Sequence, residues 1–165
     1  MRILFGFLML CLTVTAYPQT SPQPFSITIR AEKPEVRAGV PVFIKIVMTN
    51  MSDHQIDCPG WWSNGVDRAY DYHVLDESGQ TAPIIVRKHP EMGEETRPAP
   101  CIIKPGETSS PSGGMVSRLF DFSRPGKYSI EVSRHISSDP KSEIVKSNTI
   151  TVNVLPADAS PPAQQ

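Results

Sequence analysis

The 165-residue sequence predicts an all-β protein, a single antiparallel β-sandwich of about seven to nine strands. Three observations lead to this prediction. Apolar and polar residues alternate in short runs between residues 24 and 156, clusters of proline, glycine and asparagine separate these runs, and no stretch has the spacing of an amphipathic helix. A chain of this length suits one domain with a sizeable core.

Residues 1–16 have the pattern of a secretory signal peptide. Arg2 provides the positive start, Ile3 to Val14 is almost wholly apolar, and the small residues of Val14-Thr15-Ala16 suit a signal peptidase. The apolar run is shorter than the about 20 residues that a membrane-spanning helix needs, and no second such run follows. We therefore expect cleavage after Ala16 and a secreted or periplasmic protein without a membrane span.

The first half of the domain contains five predicted strands. Phe25, Ile27 and Ile29 alternate with polar residues, so one face of the first strand is expected to be buried. The second strand is the most apolar, with an aliphatic residue at every even position from Val42 to Met48. In chain order the five predicted strands cover residues 25–30, 42–48, 55–58, 70–75 and 83–87.

The second half is more regular. Tyr128, Ile130 and Val132 alternate with polar residues and should point to the same side. A polar connection at 88–100 has the length at which loops are often functional, and the proline-rich residues 157–165 are expected to be a disordered tail. The predicted strands cover residues 101–103, 116–122, 128–133 and 149–155.

The turn before residue 128 favours a particular type of sandwich. Gly126 lies in the tight corner Pro125-Gly126-Lys127, and Tyr128 begins the strand that follows. Immunoglobulin-like sandwiches often carry a tyrosine at the start of a late strand, with its hydroxyl bonded to the upstream backbone. We assign Gly126 and Tyr128 to such a structural corner of an immunoglobulin-like fold. The alternative is a tyrosine that simply begins a strand.

Two of the three cysteines remain once the leader, which contains Cys11, is removed. An even number of cysteines in an exported chain predicts a disulfide, here between Cys58 and Cys101. Closing this loop would stabilise the fold by about 3–4 kcal/mol, because it restricts the unfolded chain. Two reduced core thiols and a share in a metal site are the alternatives.

Four segments of the sequence resemble exported bacterial immunoglobulin-like modules. They are AGVPVFIKIVMTN, YDYHVLDESGQ, IIKPGETSS and LFDFSRPGKYSIEV, and they span most of the predicted domain. The second and third are also similar to the intracellular proteinase inhibitor family, and the fourth to a non-catalytic segment of deuterolysin-type metallopeptidases. The resemblance implies the sandwich fold and, through the inhibitor family, a protease as partner. It supplies no catalytic residue, because the chain has no H-E-x-x-H motif.

Composition and motifs favour a binding protein over an enzyme. Without Arg2 the chain has 15 basic and 17 acidic residues, a net charge of 15 − 17 = −2, which offers no basic surface to nucleic acid. No motif of a nucleophilic, phosphate-binding or metal site is present, so we expect no catalytic residue, no metal and no cofactor. A metal-dependent hydrolase is the enzymatic alternative, using the scattered histidines His54, His73, His89 and His135.

An aromatic pair is the most specific candidate for a binding site. Trp61 and Trp62 lie in a glycine-bounded loop, and tryptophan is enriched where proteins bind partners most tightly. The alternative is that one ring packs over the predicted disulfide while the other caps the sandwich edge. Four further candidates for partner contact are Tyr70, Tyr72, Glu91 and Met92.

These residues predict an exported recognition module, a monomer that binds a protein, such as a protease, or a glycan. A structural component of an envelope assembly is the alternative. The segment Asn50-Met51-Ser52 also matches the N-glycosylation sequon.

Overall fold

The computed structural model describes residues 23–57, 70–85, 102–109, 112–137 and 139–158, and β-strands dominate it. A short 3-10 helix, η1 (Val116–Arg118), lies between β7 and β8. No helix in this part of the chain is long and apolar enough to cross a membrane. The strands are β1 (Phe25–Ala31), β2 (Glu35–Arg37), β3 (Phe43–Asn50), β4 (Ile56–Asp57), β5 (Asp71–Leu75), β6 (Ile102–Ile103), β7 (Ser112–Met115), β8 (Gly126–His135), β9 (Ile144–Lys146) and β10 (Ile150–Leu155).

Two main sheets form the sandwich. The first has the order β1-β3-β7, and the second has the order β2-β10-β8-β5, with β9 pairing along the same side of β8 as β10. A small third sheet pairs β4 with β6. These pairs are antiparallel except that of β2 with β10, which is parallel. The arrangement is that of an immunoglobulin-like sandwich and confirms the predicted fold class.

The core lies between the facing sides of the two main sheets. The alternation predicted from the sequence is confirmed on β1, β3, β8 and β10, because their apolar positions are the buried ones. Full burial of one aliphatic side chain stabilises a fold by about 1.5–3 kcal/mol, so this pattern fixes which face of each strand points inward. The side chains concerned are Phe25, Ile27, Ile29, Ile44, Ile46, Met48, Tyr128, Ile130, Val132, Val152 and Val154.

The chain changes sheets directly after β1. Lys33 and Pro34 separate β1, which pairs with β3, from β2, which pairs with β10 in the other sheet. Asn148 then holds the outer edge of β1: its Oδ1 accepts a 2.8 Å hydrogen bond from the Ile29 amide, and its Nδ2 donates to the Ile29 carbonyl at 3.0 Å. The sequence does not predict β2, because three residues are too few to show a period.

The prediction of a strand at residues 116–122 is wrong. The structure places η1 there, and β7 ends just before it. The amides of Leu119 and Phe120 donate to the Val116 carbonyl at 2.9 and 3.0 Å. Val116 and Phe120 are both buried, because a helical turn brings residues four apart to the same side. Residues four apart also lie on the same side of a strand, so the sequence pattern does not distinguish the two structures.

Shorter segments differ from the predictions in detail. Within the strand predicted at residues 83–87, the described residues form only an isolated bridge, between Ile84 and Phe120. The sequence does not predict β9 either. Gly113 and Gly114 lie in β7, which no predicted strand covers.

Gly114 allows the two sheets to approach each other closely. It lies in β7 of the first sheet, and Tyr72 reaches it from β5 of the second. A Cβ atom at Gly114 would lie 2.6 Å from the Tyr72 hydroxyl oxygen and 3.5 Å from the ring carbon that bears it. A Cβ atom at the neighbouring Gly113 would meet only the Ile44 carbonyl oxygen, at 4.0 Å. Packing therefore requires glycine at position 114 but not at 113.

The turn before β8 contains the hydrogen bond that defines a tyrosine corner. The Tyr128 hydroxyl donates to the Arg124 carbonyl at 2.9 Å. Gly126 has a φ of +150°, which residues with a side chain rarely adopt. Burial raises the pKa of Tyr128, and the carboxylates of Asp121 and Asp76 raise it further. The hydroxyl therefore keeps the proton that it donates.

We predict that Gly114→Ala destabilises the fold by about 1–3 kcal/mol, because the added methyl group overpacks the space beside Tyr72. Gly113→Ala is the matched control and should change the free energy of unfolding by less than about 0.5 kcal/mol. Urea unfolding followed by circular dichroism measures both. In a Tyr72→Phe background Gly114→Ala should cost less, since the nearest atom is gone. Equal losses for the two alanine variants would contradict the packing role.

Candidate functional site

One end of the sandwich gathers several segments that the sequence analysis singled out. We call it the loop end and define it by Phe25, Asn50 and Arg134. β1 begins there at Phe25, which lies opposite Asn50, the last residue of β3. The guanidinium carbon of Arg134, near the end of β8, is 5.7 Å from the centroid of the Phe25 ring. The two main sheets therefore meet at this end through the contact between Phe25 and Arg134.

The connection that carries the tryptophan pair starts and finishes at the loop end. The chain leaves this end at Asn50 and returns to it at β5, whose first residue, Asp71, pairs with Ser133 beside Arg134. Of the residues predicted for the site or for the disulfide, most lie outside the described residues. These are Cys58, Trp61, Trp62, Glu91, Met92 and Cys101.

Asn50 holds the loop end together through a fully buried side chain. Its Nδ2 donates to the carbonyls of His54 at 2.7 Å and Ile103 at 2.9 Å. Its Oδ1 accepts from the backbone amide of Ser52 at 2.9 Å and from the Ser52 hydroxyl at 2.7 Å. Because Ile103 belongs to β6, one amide group ties the segment after β3 to the β4–β6 sheet.

The backbone of Asn50 joins a further segment to the same point. Its amide donates to the Glu107 carbonyl at 2.9 Å, and its carbonyl accepts from the Gly106 amide at 3.0 Å. The polar atoms of Asn50 therefore all have partners, although a buried polar group without them would cost about 1–3 kcal/mol. From the sequence alone, Asn50 is noted only as part of an N-glycosylation sequon. Its position at the end of the most apolar strand was the one feature of the sequence that could have indicated a structural role.

Arg134 is the second residue of this end that the sequence analysis missed. It follows the inward-pointing alternation of β8 and pairs with the buried Val145. Its guanidinium contacts the face of Phe25 and donates to the Met48 sulfur at 3.7 Å. No carboxylate oxygen of the described residues lies within 4.0 Å of it. The half-buried positive charge of Arg134 thus lies at the edge of the core, where its described contacts are the Phe25 ring and the Met48 thioether.

The structure places Tyr70 and Tyr72 in the packed interior. Tyr70 is only 5% exposed, and Tyr72 is half-buried against Gly114. Tyr70, directly before β5, therefore offers a partner almost no surface, whereas Tyr72 keeps part of its surface exposed. Exposed apolar side chains near the loop end include Met51, 64% exposed, and Ile136, 38% exposed.

The described histidines lie apart from one another and take part in local pairs. His73 Nε2 lies 3.0 Å from the Ser133 hydroxyl on the outer face of the second sheet, and the neighbouring Glu131 forms a 3.1 Å ion pair with Lys146. His54 lies 3.0 Å from the Asp53 carboxylate, and this hydrogen bond lowers the pKa of Asp53. Nowhere in the described ranges do three or more metal-ligating side chains converge. These contacts stabilise strands and turns.

Comparisons with known proteins bear on the fold alone. No family model matches the sequence, and no curated protein matches it. Among solved structures the chain is similar to the NMR structure of the CARDB domain of a Pyrococcus furiosus protein, at 11% identity and a TM-score of 0.40. The match covers 80% of this chain and 94% of that one.

We predict that Tyr70 ionises near pH 12 in the folded protein. Burial raises its pKa from 10.0 to about 12, although the positive charge of Arg134 opposes the rise. Because the unfolded chain ionises first, this contribution to stability is complete below pH 10 and is lost as the pH approaches 12. Ultraviolet titration of tyrosinate, with Tyr70→Phe as the reference, measures the shift. Ionisation of Tyr70 near pH 10 would show that water reaches the ring.

Proposed function

We propose that this chain is an exported, non-enzymatic recognition module that binds a protein partner at its loop end. The observation that carries the proposal is the convergence on Asn50. The connections that contain Trp61 and Trp62, and Glu91 and Met92, both begin or end at segments held by this one residue. Loops positioned by a rigid scaffold are where binding residues concentrate.

The exposed side chains at this end support a protein partner over a glycan. Met51 and Ile136 present aliphatic surface, whereas sugars are bound by aromatic faces flanked by polar groups. The described aromatic rings of the loop end, Phe25 and Tyr70, are 5% exposed and cannot stack on a sugar. Methionine is adaptable and is common at surfaces that bind other proteins.

The resemblance to the intracellular proteinase inhibitor family makes an exported protease the first partner to test. It rests on the segments around Tyr72 and Lys104, which lie in or beside β5 and β6. A structural component of an envelope assembly would use the same surface and differ only in how long the partner stays bound.

Strand pairing supports a disulfide between Cys58 and Cys101. Asp57 pairs with Ile102 and Ile56 with Ile103, and in the sequence Cys58 follows Asp57 while Cys101 precedes Ile102. We propose that the pairing continues by one position, which would bring the two cysteines opposite each other. Neighbouring positions across an antiparallel pair are close enough for a disulfide, whose Cα atoms are usually separated by about 4.4–6.8 Å. Such a bond would fix the start of the connection that contains the tryptophan pair and the end of the connection that contains Glu91 and Met92.

We therefore expect the purified oxidised protein to contain no free thiol once the leader is removed. Cys58→Ser and Cys101→Ser should each lower the free energy of unfolding by about 3–4 kcal/mol, and the double variant should lose no more than either single variant. Thiol alkylation with intact-mass spectrometry and urea unfolding provide the two measurements. Two alkylated thiols in the native oxidised protein would show that the bond does not form.

The binding proposal is tested by capture of partners from a native envelope extract and by inhibition of a panel of exported proteases. We expect Met51→Asp and the double variant Trp61→Ala/Trp62→Ala to lose the interaction, because both change the loop end. Ile84→Asp is the matched control, since Ile84 is 66% exposed and lies beside Phe120, away from the loop end. Retention by both loop-end variants, or equal loss in the Ile84 variant, would contradict the proposal.

A further inference from the structure

We infer that Arg134 binds a carboxylate of the protein partner at the loop end. This inference rests on the proposed function, because it names the group that the same surface recognises. The ligand is an acidic side chain that approaches Arg134 from outside the sandwich.

The hydrogen-bonding capacity of Arg134 is largely unused within the described residues. A guanidinium carries five N–H donors and has no acceptor. The recorded acceptor is the Met48 sulfur, at 3.7 Å, and a thioether sulfur accepts only weakly. A half-buried guanidinium loses part of its hydration, so acceptors from a ligand would restore what Met48 does not supply.

Arg134 differs in this respect from the other arginines that the structure describes. Arg37 has a carboxylate partner, Asp158, at 2.9 Å. Arg30, Arg118 and Arg124 are exposed, so water can satisfy their donors. Arg134 alone in this group is half-buried without an acidic partner among the described residues.

The surroundings of Arg134 hold its guanidinium in place before a ligand binds. The ring of Phe25 lies 5.7 Å from the guanidinium carbon, a distance at which the ring face attracts a cation. Met48, 1% exposed, accepts the hydrogen bond from the guanidinium, and the backbone of Arg134 pairs with that of the buried Val145. A guanidinium that is already positioned loses little freedom on binding, which favours affinity.

A carboxylate matches this site in shape and charge. The planar fork of an arginine forms two parallel hydrogen bonds with a carboxylate, and removal from water strengthens such a pair. The charge of one arginine is balanced by one carboxylate. The apolar side chains of Met51 and Ile136 near the same end would shield the pair from water once a partner covers them.

A direct test uses the whole mature protein and a small probe. We would follow the arginine Nε–Hε resonances by NMR during titration with acetyl-Glu-amide, with acetyl-Gln-amide as the neutral match and inorganic phosphate as a second anion. The Arg134 resonance, assigned by its absence in Arg134→Met, should shift saturably with the glutamate probe. Binding of the glutamine probe should be at least about tenfold weaker, and Arg30 should not respond.

Three outcomes of the titration would overturn the inference. An unmoved Arg134 resonance would assign the residue a purely structural role on Phe25. Equal shifts from the glutamine probe would remove the requirement for charge. Tighter binding of phosphate than of the glutamate probe would assign the site to a different anion.

Partner capture then separates this inference from the proposed function. Arg134→Lys should weaken capture at least about tenfold with an unchanged melting temperature, because lysine cannot form the paired hydrogen bonds. Arg118→Lys on η1 is the control and should bind as the wild type does. If Met51→Asp abolishes capture while Arg134→Lys does not, the inference fails and the proposed function stands. If neither variant changes capture, the proposed function fails, and the probe titration decides alone whether Arg134 binds carboxylates.

Discussion

The burial of one amide side chain, that of Asn50, determines the shape of the loop end. Its four side-chain hydrogen bonds and two backbone bonds join the end of β3 to Ser52, His54, Ile103 and the turn at residues 106–107. Each of these segments leads into or out of a connection where binding residues are proposed. A buried network of this kind stabilises only when every member has a partner, so it selects one arrangement of the connections.

How much of the fold could be predicted depends on how long each strand is and on what lies beside it. β3 and β8 have eight and ten residues, and their alternation is unambiguous in the sequence. β2 and β9 have three residues each, and only their pairing with β10 and β8 identifies them. Residues 116–122 misled the prediction because buried residues four apart occur in a helical turn and in an alternating strand alike.

The candidate site divides in the same way. The sequence alone was enough to single out Trp61 and Trp62, because the two lie together in a glycine-bounded segment and tryptophan is enriched in binding sites. The positions of Tyr70 and Arg134 could not be predicted, because they depend on neighbours that are distant in sequence. Tyr70 lies buried in the core beside β5, and β8 brings Arg134 to Phe25. No local pattern reports whether an arginine near the end of a strand has an acidic partner among the described residues, because such a partner could be distant in sequence.

The hidden amide of Asn50 also bears on how the protein can be made. Both hydrogens of Nδ2 are used, towards His54 and Ile103, so an oligosaccharide on that nitrogen is incompatible with the native state. Transfer of sugar in a eukaryotic secretory pathway takes place on the emerging chain, before Asn50 is enclosed. Yeast or mammalian hosts would therefore trap part of the product as misfolded glycoprotein, whereas a bacterial host without such a transferase leaves the residue free to close the sandwich.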